Sequence, residues 1–215
     1  MRFTVTGSVL LLYGVPLVII AFLGILYIEI SPKEDNKKKK SKSPRLRSWT
    51  FPVLIDGPFG VVSAAKLVVI MMFIIYILGT MAAYVISDSR TIDQIETPLP
   101  SYEKRLLMLE ISGLRLGSVG LFCLGFLFLP VARGSILLRL IDIPFEHATK
   151  YHVWLGHATM ALFTAHGLCY LIGWGLEGHF LQEVVQWQRI GIANVNGEIS
   201  LCAGLAMWVT SLHFV

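Results

Sequence analysis

The stretch Tyr151–Trp174, YHVWLGHATMALFTAHGLCYLIGW, decides the fold of this chain. It is apolar over 24 residues, which is long enough to cross a bilayer as one α-helix. His152 and His166 lie 14 residues apart within it. On an α-helix that separation is about 40° short of four full turns and about 21 Å of rise. The sequence therefore predicts a membrane-spanning helix that presents two imidazoles from one face, near opposite membrane surfaces.

Two histidines inside a bilayer indicate function, because an ionisable side chain is expensive there. Imidazole can ligate iron through a ring nitrogen while it is neutral, so the spacing suits two haems held one above the other. The same spacing also fits a proton relay, or histidines that only hydrogen-bond a neighbouring helix. From the spacing alone, these interpretations remain open.

The residues around the two histidines favour haem. Gly156 and Gly167 are small at the places where a flat macrocycle has to approach the backbone. Phe163 lies between the two imidazoles, where an aromatic ring more often packs than carries electrons. The positions within about 40° of the His152 face are Gly156, Thr159, Phe163, His166 and Tyr170.

The other histidines do not share this face. His157 is about 140° from His152 and about 180° from His166, so we expect it to hydrogen-bond or to contact another helix. His147 is expected to precede the helix at the membrane interface. His179 lies in a polar connection, and His213 lies near Val215.

The composition is 55% hydrophobic and 15% charged, which excludes a soluble domain and predicts an all-α, polytopic transmembrane helix bundle. The first apolar stretch is longer than the usual signal-peptide core and has no small-x-small cleavage site after it, so we interpret it as an anchor. Five spans are predicted: Gly7–Ile30, Val61–Ser87, Ser112–Ala132, Tyr151–Trp174 and Ile199–Val215.

Lysine and arginine predict the orientation. Eleven of these residues lie in the two connections after the first and third spans, including the run Lys37–Lys40, and four lie in the other two connections. The positive-inside rule places the eleven in the cytosol and the N-terminus outside. His152 is then near the inner surface and His166 near the outer one. We expect an anchor helix and basic cytosolic loop over residues 1–60 and a membrane domain over residues 61–215.

Lys66 and Arg115 lie near the ends of their predicted spans, so both are expected to snorkel toward the membrane surface. For Arg115, contact with a haem propionate or an anionic chelate is a second interpretation.

Other function classes are disfavoured. The sequence has no dinucleotide fingerprint and no phosphate-binding loop. Three cysteines without a C-x-x-C pair indicate neither a disulfide framework nor a zinc site. The basic residues flank the membrane, so nucleic acid is not an expected partner.

Three parts of the chain carry a family resemblance: WTFPVLIDGPFGVVSAA (49–65), SILLRLIDIPFEHATKYHVWLGH (135–157) with FTAHGL (163–168), and GIAN (191–194) with WVTSL (208–212). These segments resemble the plant ferric-chelate reductases, the ferric reductase oxidases, and the resemblance covers nearly the whole chain. That family is related to the NADPH oxidases and the yeast ferric reductases, whose membrane domains carry electrons from cytosolic NADPH through FAD and two b-type haems to an acceptor outside.

This resemblance implies an NAD(P)H-dependent ferric-chelate reductase. His152 matches the ligand of the inner haem and His166 that of the outer haem, whereas His157 has no place in the family's haem pattern. The implied partners are the lipid bilayer and, as electron acceptor, an Fe(III)-chelate. The plasma membrane is the expected location, although the family also serves organelles.

Family members continue, beyond the segment that this chain matches, into a second two-histidine helix and then FAD and NADPH domains. This chain ends at Val215, so we expect it to supply half of each haem's ligands, to lack both nucleotide sites and to be inactive alone. Two other functions remain open: histidine-based proton or metal transport, and a truncated isoform without a catalytic role. Haem absorbance would distinguish a reductase from a transport protein. Activity of the isolated chain would distinguish a reductase from a truncated isoform without a catalytic role.

Overall fold

The computed structural model describes residues 52–54, 62–94, 100–128, 145–187 and 194–212, with short helical pieces at 14–15, 18–19, 21–22 and 25–26. Over these described residues the fold is all-α, as predicted, apart from one small pair of strands. The elements are β1 Pro52–Leu54, β2 Val62–Ser63, α1 Ala64–Asp93, α2 Ser101–Leu127, α3 Phe145–Glu177, α4 Phe180–Val184 and α5 Asn194–Leu212.

The two strands form an antiparallel ladder directly before α1. Pro52 lies opposite Ser63 and Leu54 opposite Val62, with an irregular register between the two pairs. Proline cannot donate to such a ladder, so its place in a two-stranded sheet, where both strands are edges, costs little. Hydropathy does not reveal this ladder, because strands of two or three residues leave no periodic signal.

Three of the described helices are long and apolar enough to cross a membrane, which confirms the second, third and fourth predicted spans and implies a lipid bilayer as the surroundings. Helix α5 has 19 residues but begins with the polar turn Asn194–Glu198 and is not among the three. The first predicted span lies mostly outside the described residues. The spanning segments are Ile70–Asp93, Ser101–Leu127 and Ala148–Glu177.

The helices extend beyond the apolar stretches that predicted them. Helix α3 begins at Phe145, directly after Pro144, and ends at Glu177 before Gly178, whose φ of +76° suits glycine. His147 therefore lies in the first turn of α3, and the prediction that it precedes the helix is wrong. Hydropathy identifies only the apolar part of a helix, which lies inside the bilayer. The backbone hydrogen bonds of the helix continue through its polar ends.

Helix α1 presents its apolar side chains outward. Met72, Ile75 and Leu78 are all exposed, although each would be buried in the core of a soluble protein. A helix that is hydrophobic all round and yet exposed is suited to lipid.

The chain divides into two compact units, Met1–Tyr76 with Leu124–Leu155, and Ile77–Cys123 with Gly156–Val215. Helices α1, α2 and α3 each contribute to both units. In the first unit, the rings of Phe73 on α1 and Phe126 on α2 meet edge to face at 5.3 Å between centroids. The predicted boundary at residue 60 remains a prediction.

In the second unit, a buried ion pair joins α1 to α2. The Nε and Nη2 atoms of Arg115 donate to the two carboxylate oxygens of Asp88 at 2.8 and 2.9 Å, and the guanidinium lies 4.4 Å from the centre of the Tyr84 ring. The prediction that Arg115 snorkels is wrong, since its charge is neutralised inside the helix pair. The side chain of Lys66 lies outside the described residues.

Candidate functional site

His166 donates a hydrogen bond to the backbone of the neighbouring helix. Its Nδ1 atom lies 2.7 Å from the carbonyl oxygen of Gly113 on α2. A carbonyl oxygen can only accept, so Nδ1 carries a proton, and in the neutral form of the ring the lone pair is on Nε2. This tautomer offers Nε2 to a metal.

His152 makes the equivalent bond in the first unit. Its Nδ1 atom lies 2.8 Å from the carbonyl oxygen of Leu127. Leu127 is the last residue of α2, and its carbonyl is one of the four at a helix end that lack a partner within the helix. The imidazole satisfies that carbonyl, and it too keeps the lone pair on Nε2.

His157 has the opposite arrangement. The indole Nε1–H of Trp208 donates to His157 Nδ1 at 2.7 Å, because indole can only donate. The lone pair is therefore on Nδ1 and the proton on Nε2. The prediction that His157 is a hydrogen-bonding contact between helices is confirmed, and its partner is α5.

The chemistry of His152 and His166 fits haem ligation. Within the part of the chain that the structure describes, no hydrogen bond engages Nε2 of either ring. Histidines that ligate metals usually donate their other N–H to a carbonyl or carboxylate, which fixes the ring orientation and makes the ligating nitrogen more basic. Among the described residues no three His, Cys, Asp or Glu side chains converge on one point. Each of the two rings could offer its Nε2 atom as one ligand to a haem iron.

The face between the histidines is closely packed in the second unit. Thr159 is 2% exposed. A Cβ at Gly120 would lie 2.9 Å from the Phe163 ring, so Phe163 packs directly on the α2 backbone. The Tyr170 ring meets the His166 ring edge to face at 5.1 Å.

Gly167 has a different role from the predicted one. A Cβ at this position would lie 2.6 Å from Cδ2 of Leu201 on α5. The missing side chain therefore makes room for a leucine of another helix, and the prediction that it makes room for a macrocycle is wrong.

Sequence reasoning missed the residues of α2 that hold the two histidines. Gly113 and Leu127 act through backbone carbonyls, which any residue possesses, and so leave no signal in side-chain chemistry. Gly117 is visible in the sequence, four residues after Gly113, but only the structure shows that His166 lies against it.

A transport path receives little support from these residues. The hydroxyl of Thr164 donates to the Met160 carbonyl on its own helix at 2.7 Å, so its proton does not face a neighbouring helix. The acidic Asp88 is already paired with Arg115.

Comparison with known proteins places the chain in a family. Residues 116–215 match the model of the ferric reductase like transmembrane component. Ferric reduction oxidase 7, chloroplastic, of Arabidopsis thaliana is 54% identical over 215 residues, which is 99% of this chain. The chain belongs to the ferric reductase family. The resemblance seen in the sequence is thereby confirmed.

Other Arabidopsis thaliana relatives agree. Ferric reduction oxidase 2 is 38% identical over 97% of this chain and 29% of its own length, and ferric reduction oxidase 3, mitochondrial, is 37% identical over 95% and 29%. The chain spans 28% of the length of ferric reduction oxidase 7. It thus corresponds to less than a third of each of these relatives. No solved structure matches it.

Proposed function

We propose that this chain is the part of a membrane ferric-chelate reductase that supplies one axial histidine to each of two b-type haems. His152 would ligate the haem on the cytosolic side and His166 the haem on the outer side. The observation that carries the proposal is that Nδ1 of both rings lies within hydrogen-bond distance of a helix carbonyl oxygen. Because that oxygen can only accept, both rings donate from Nδ1, and in the shared neutral tautomer the Nε2 lone pair is kept for iron. His157, with its tautomer reversed, is unsuited to the same role.

The chain's own residues act by holding and orienting these rings. Haem bound here would supply one-electron redox chemistry. The separation of 14 residues between His152 and His166 corresponds to about 21 Å of rise on an ideal α-helix. FAD, NADPH and the second histidine of each haem would come from the rest of the protein, and the acceptor would be an Fe(III)-chelate at the outer surface.

The haem content of histidine variants tests this function. The suitable protein is a chimera in which this chain replaces the aligned part of ferric reduction oxidase 7, which provides the remaining domains. Reduced-minus-oxidised spectra of the chimera count its low-spin haems. We expect two, one dependent on His152 and one on His166.

A cysteine-labelling experiment tests the proposed orientation. With Cys123, Cys169 and Cys202 replaced, a Ser41→Cys chain should react with an impermeant maleimide only after the membrane is opened. A Gln94→Cys chain expressed at the cell surface should react in sealed cells, because residue 94, just after α1, would lie on the opposite side of the membrane. Labelling of the Ser41→Cys chain in sealed cells would contradict the assignment of His152 to the inner haem.

A second experiment tests whether these 215 residues suffice for activity. We expect the purified chain, supplied with haem in detergent, to show no NADPH-driven reduction of Fe(III)-chelate and little stable low-spin haem. Bis-histidine ligation of two haems needs four imidazoles, and nicotinamide binding needs a phosphate-binding turn that helices α1 to α5 do not provide. Turnover with NADPH, or two stoichiometric low-spin haems, would contradict this expectation.

The membrane that holds the protein has two candidates. A reductase acting on external chelates belongs in the plasma membrane, whereas the name of the 54% identical relative, ferric reduction oxidase 7, includes the word chloroplastic. That name favours an organelle. Fractionation of plant cells that express a tagged full-length form of this protein assigns the membrane.

A further inference from the structure

His152 and His166, the two candidate ligands, hydrogen-bond to carbonyls at different positions along helix α2. His152 meets the carbonyl of Leu127 at the end of the helix, whereas His166 meets the carbonyl of Gly113 in its middle. In a regular α-helix the Gly113 carbonyl already accepts from the N–H of residue 117. A carbonyl oxygen has two lone pairs, so His166 takes the second.

Access to a carbonyl in mid-helix depends on the residue four positions later. Helical side chains lean toward the N-terminus and cover the preceding turn, so the side chain at position 117 would lie over the Gly113 carbonyl. Position 117 is a glycine, and a Cβ built there would lie 2.7 Å from Nδ1 of His166 and 2.9 Å from its Cε1. Real Cβ atoms do not approach other atoms so closely, so the imidazole occupies the space of the absent side chain.

A third contact holds the same ring. The edge-to-face approach of Tyr170, one turn further along α3, limits rotation of the His166 imidazole. The ring is thus held by the Gly113 carbonyl, the bare backbone at Gly117 and the Tyr170 ring. At the helix end, Leu127 has no residue four positions later within α2, so His152 needs no such glycine.

We propose that Gly117 is a positioning residue for the outer-haem ligand: its missing side chain admits the His166 imidazole to the Gly113 carbonyl, which fixes the proton on Nδ1 and leaves Nε2 for iron. The link to haem rests on the proposed function. The control of the tautomer does not, because it concerns the chain without any cofactor.

The tautomers can be read directly in the 215-residue chain. We expect ¹⁵N spectra of the histidine-labelled chain in lipid nanodiscs to show the Nδ1–H form for His152 and His166 and the Nε2–H form for His157. Each signal is assigned from the chain that lacks that histidine. In Gly117→Ala, His166 should lose the Nδ1–H form while His152 keeps it. An Nε2–H form of His166 in the unsubstituted chain would overturn the proposal even if the variant failed to fold.

Gly120→Ala is the matched control. It adds the same methyl to the same helix, and that methyl would lie 2.9 Å from the Phe163 ring on α3. It therefore disturbs the packing of α2 on α3 to a similar degree without touching a histidine. Gly173→Ala is a milder control, with ordinary contacts of 3.7 Å to the Glu110 side chain. A tautomer change of His166 in Gly120→Ala equal to that in Gly117→Ala would overturn the proposal.

The chimera provides a second readout. Loss of a hydrogen-bonding partner behind a metal ligand weakens metal affinity by about 10 to 100-fold, so Gly117→Ala should lose outer haem in that range and alter the electron paramagnetic resonance signal of one haem only. Gly120→Ala should leave both signals in place, and an unchanged outer haem in Gly117→Ala would contradict the proposal. If His166→Ala keeps both haems while Gly117→Ala still changes the tautomer, the haem assignment fails and the positioning role stands.

Discussion

We expect His166→Ala to remove one of the two low-spin haems from the chimera, and His152→Ala to remove the other. A haem that loses one of its histidine ligands would bind weakly or not at all and would leave the low-spin spectrum. The expected change is therefore the loss of about half of the reduced-minus-oxidised signal in either variant, with Fe(III)-chelate reduction abolished in both. The measurement is the spectrum of purified protein, normalised to polypeptide.

His157→Ala is the control on the same helix. It removes the hydrogen bond from Trp208, at a cost of about 1 kcal/mol, but it should leave both haems. If His157→Ala loses a haem while His166→Ala keeps both, the assignment by helix face and tautomer is wrong.

Asp88→Ala is expected to destabilise the membrane domain by about 3 to 5 kcal/mol, because it leaves the Arg115 charge buried without its carboxylate. The two side chains are 8% and 10% exposed, so water cannot replace the lost partner. Denaturation of the chain in mixed micelles, followed by circular dichroism, measures the change in the free energy of unfolding.

Two variants separate the buried charge from other effects. Asp93→Ala breaks the ion pair between Asp93 and Lys104, whose side chains are 55% and 43% exposed. This variant should lose only about 0.2 to 1 kcal/mol of unfolding free energy. Replacing both Asp88 and Arg115 by leucine should recover most of the stability, since the cost comes from the unpaired charge. Equal losses in Asp88→Ala and in the double variant would show that shape, and not charge, holds α1 and α2 together.

The sequence predicts the parts of this protein that depend on apolar length and helical angle. The run around His152 and His166 predicts α3. The same arithmetic separates His157, whose reversed tautomer and bond to Trp208 agree with its position on another face. These features follow from the geometry of one helix, so no knowledge of a neighbour is needed.

Features that depend on a second helix could not be predicted. The partner of Arg115 lies 27 residues earlier, on α1, and without it a charged residue near the end of a span suggests snorkelling. The role of Gly117 requires the register between α2 and α3, and Gly167 was misassigned because its neighbour, Leu201, belongs to α5. The tautomers depend on backbone carbonyls, to which all residue types contribute alike.

The most direct measurement is the number of b-type haems per polypeptide in a chimera that carries both His152→Ala and His166→Ala and keeps His157. If α3 supplies one axial ligand to each haem through these two residues, the pyridine haemochrome assay finds no stably bound haem in this double variant and two in the parent chimera. A double variant that retains one or both haems would contradict the account.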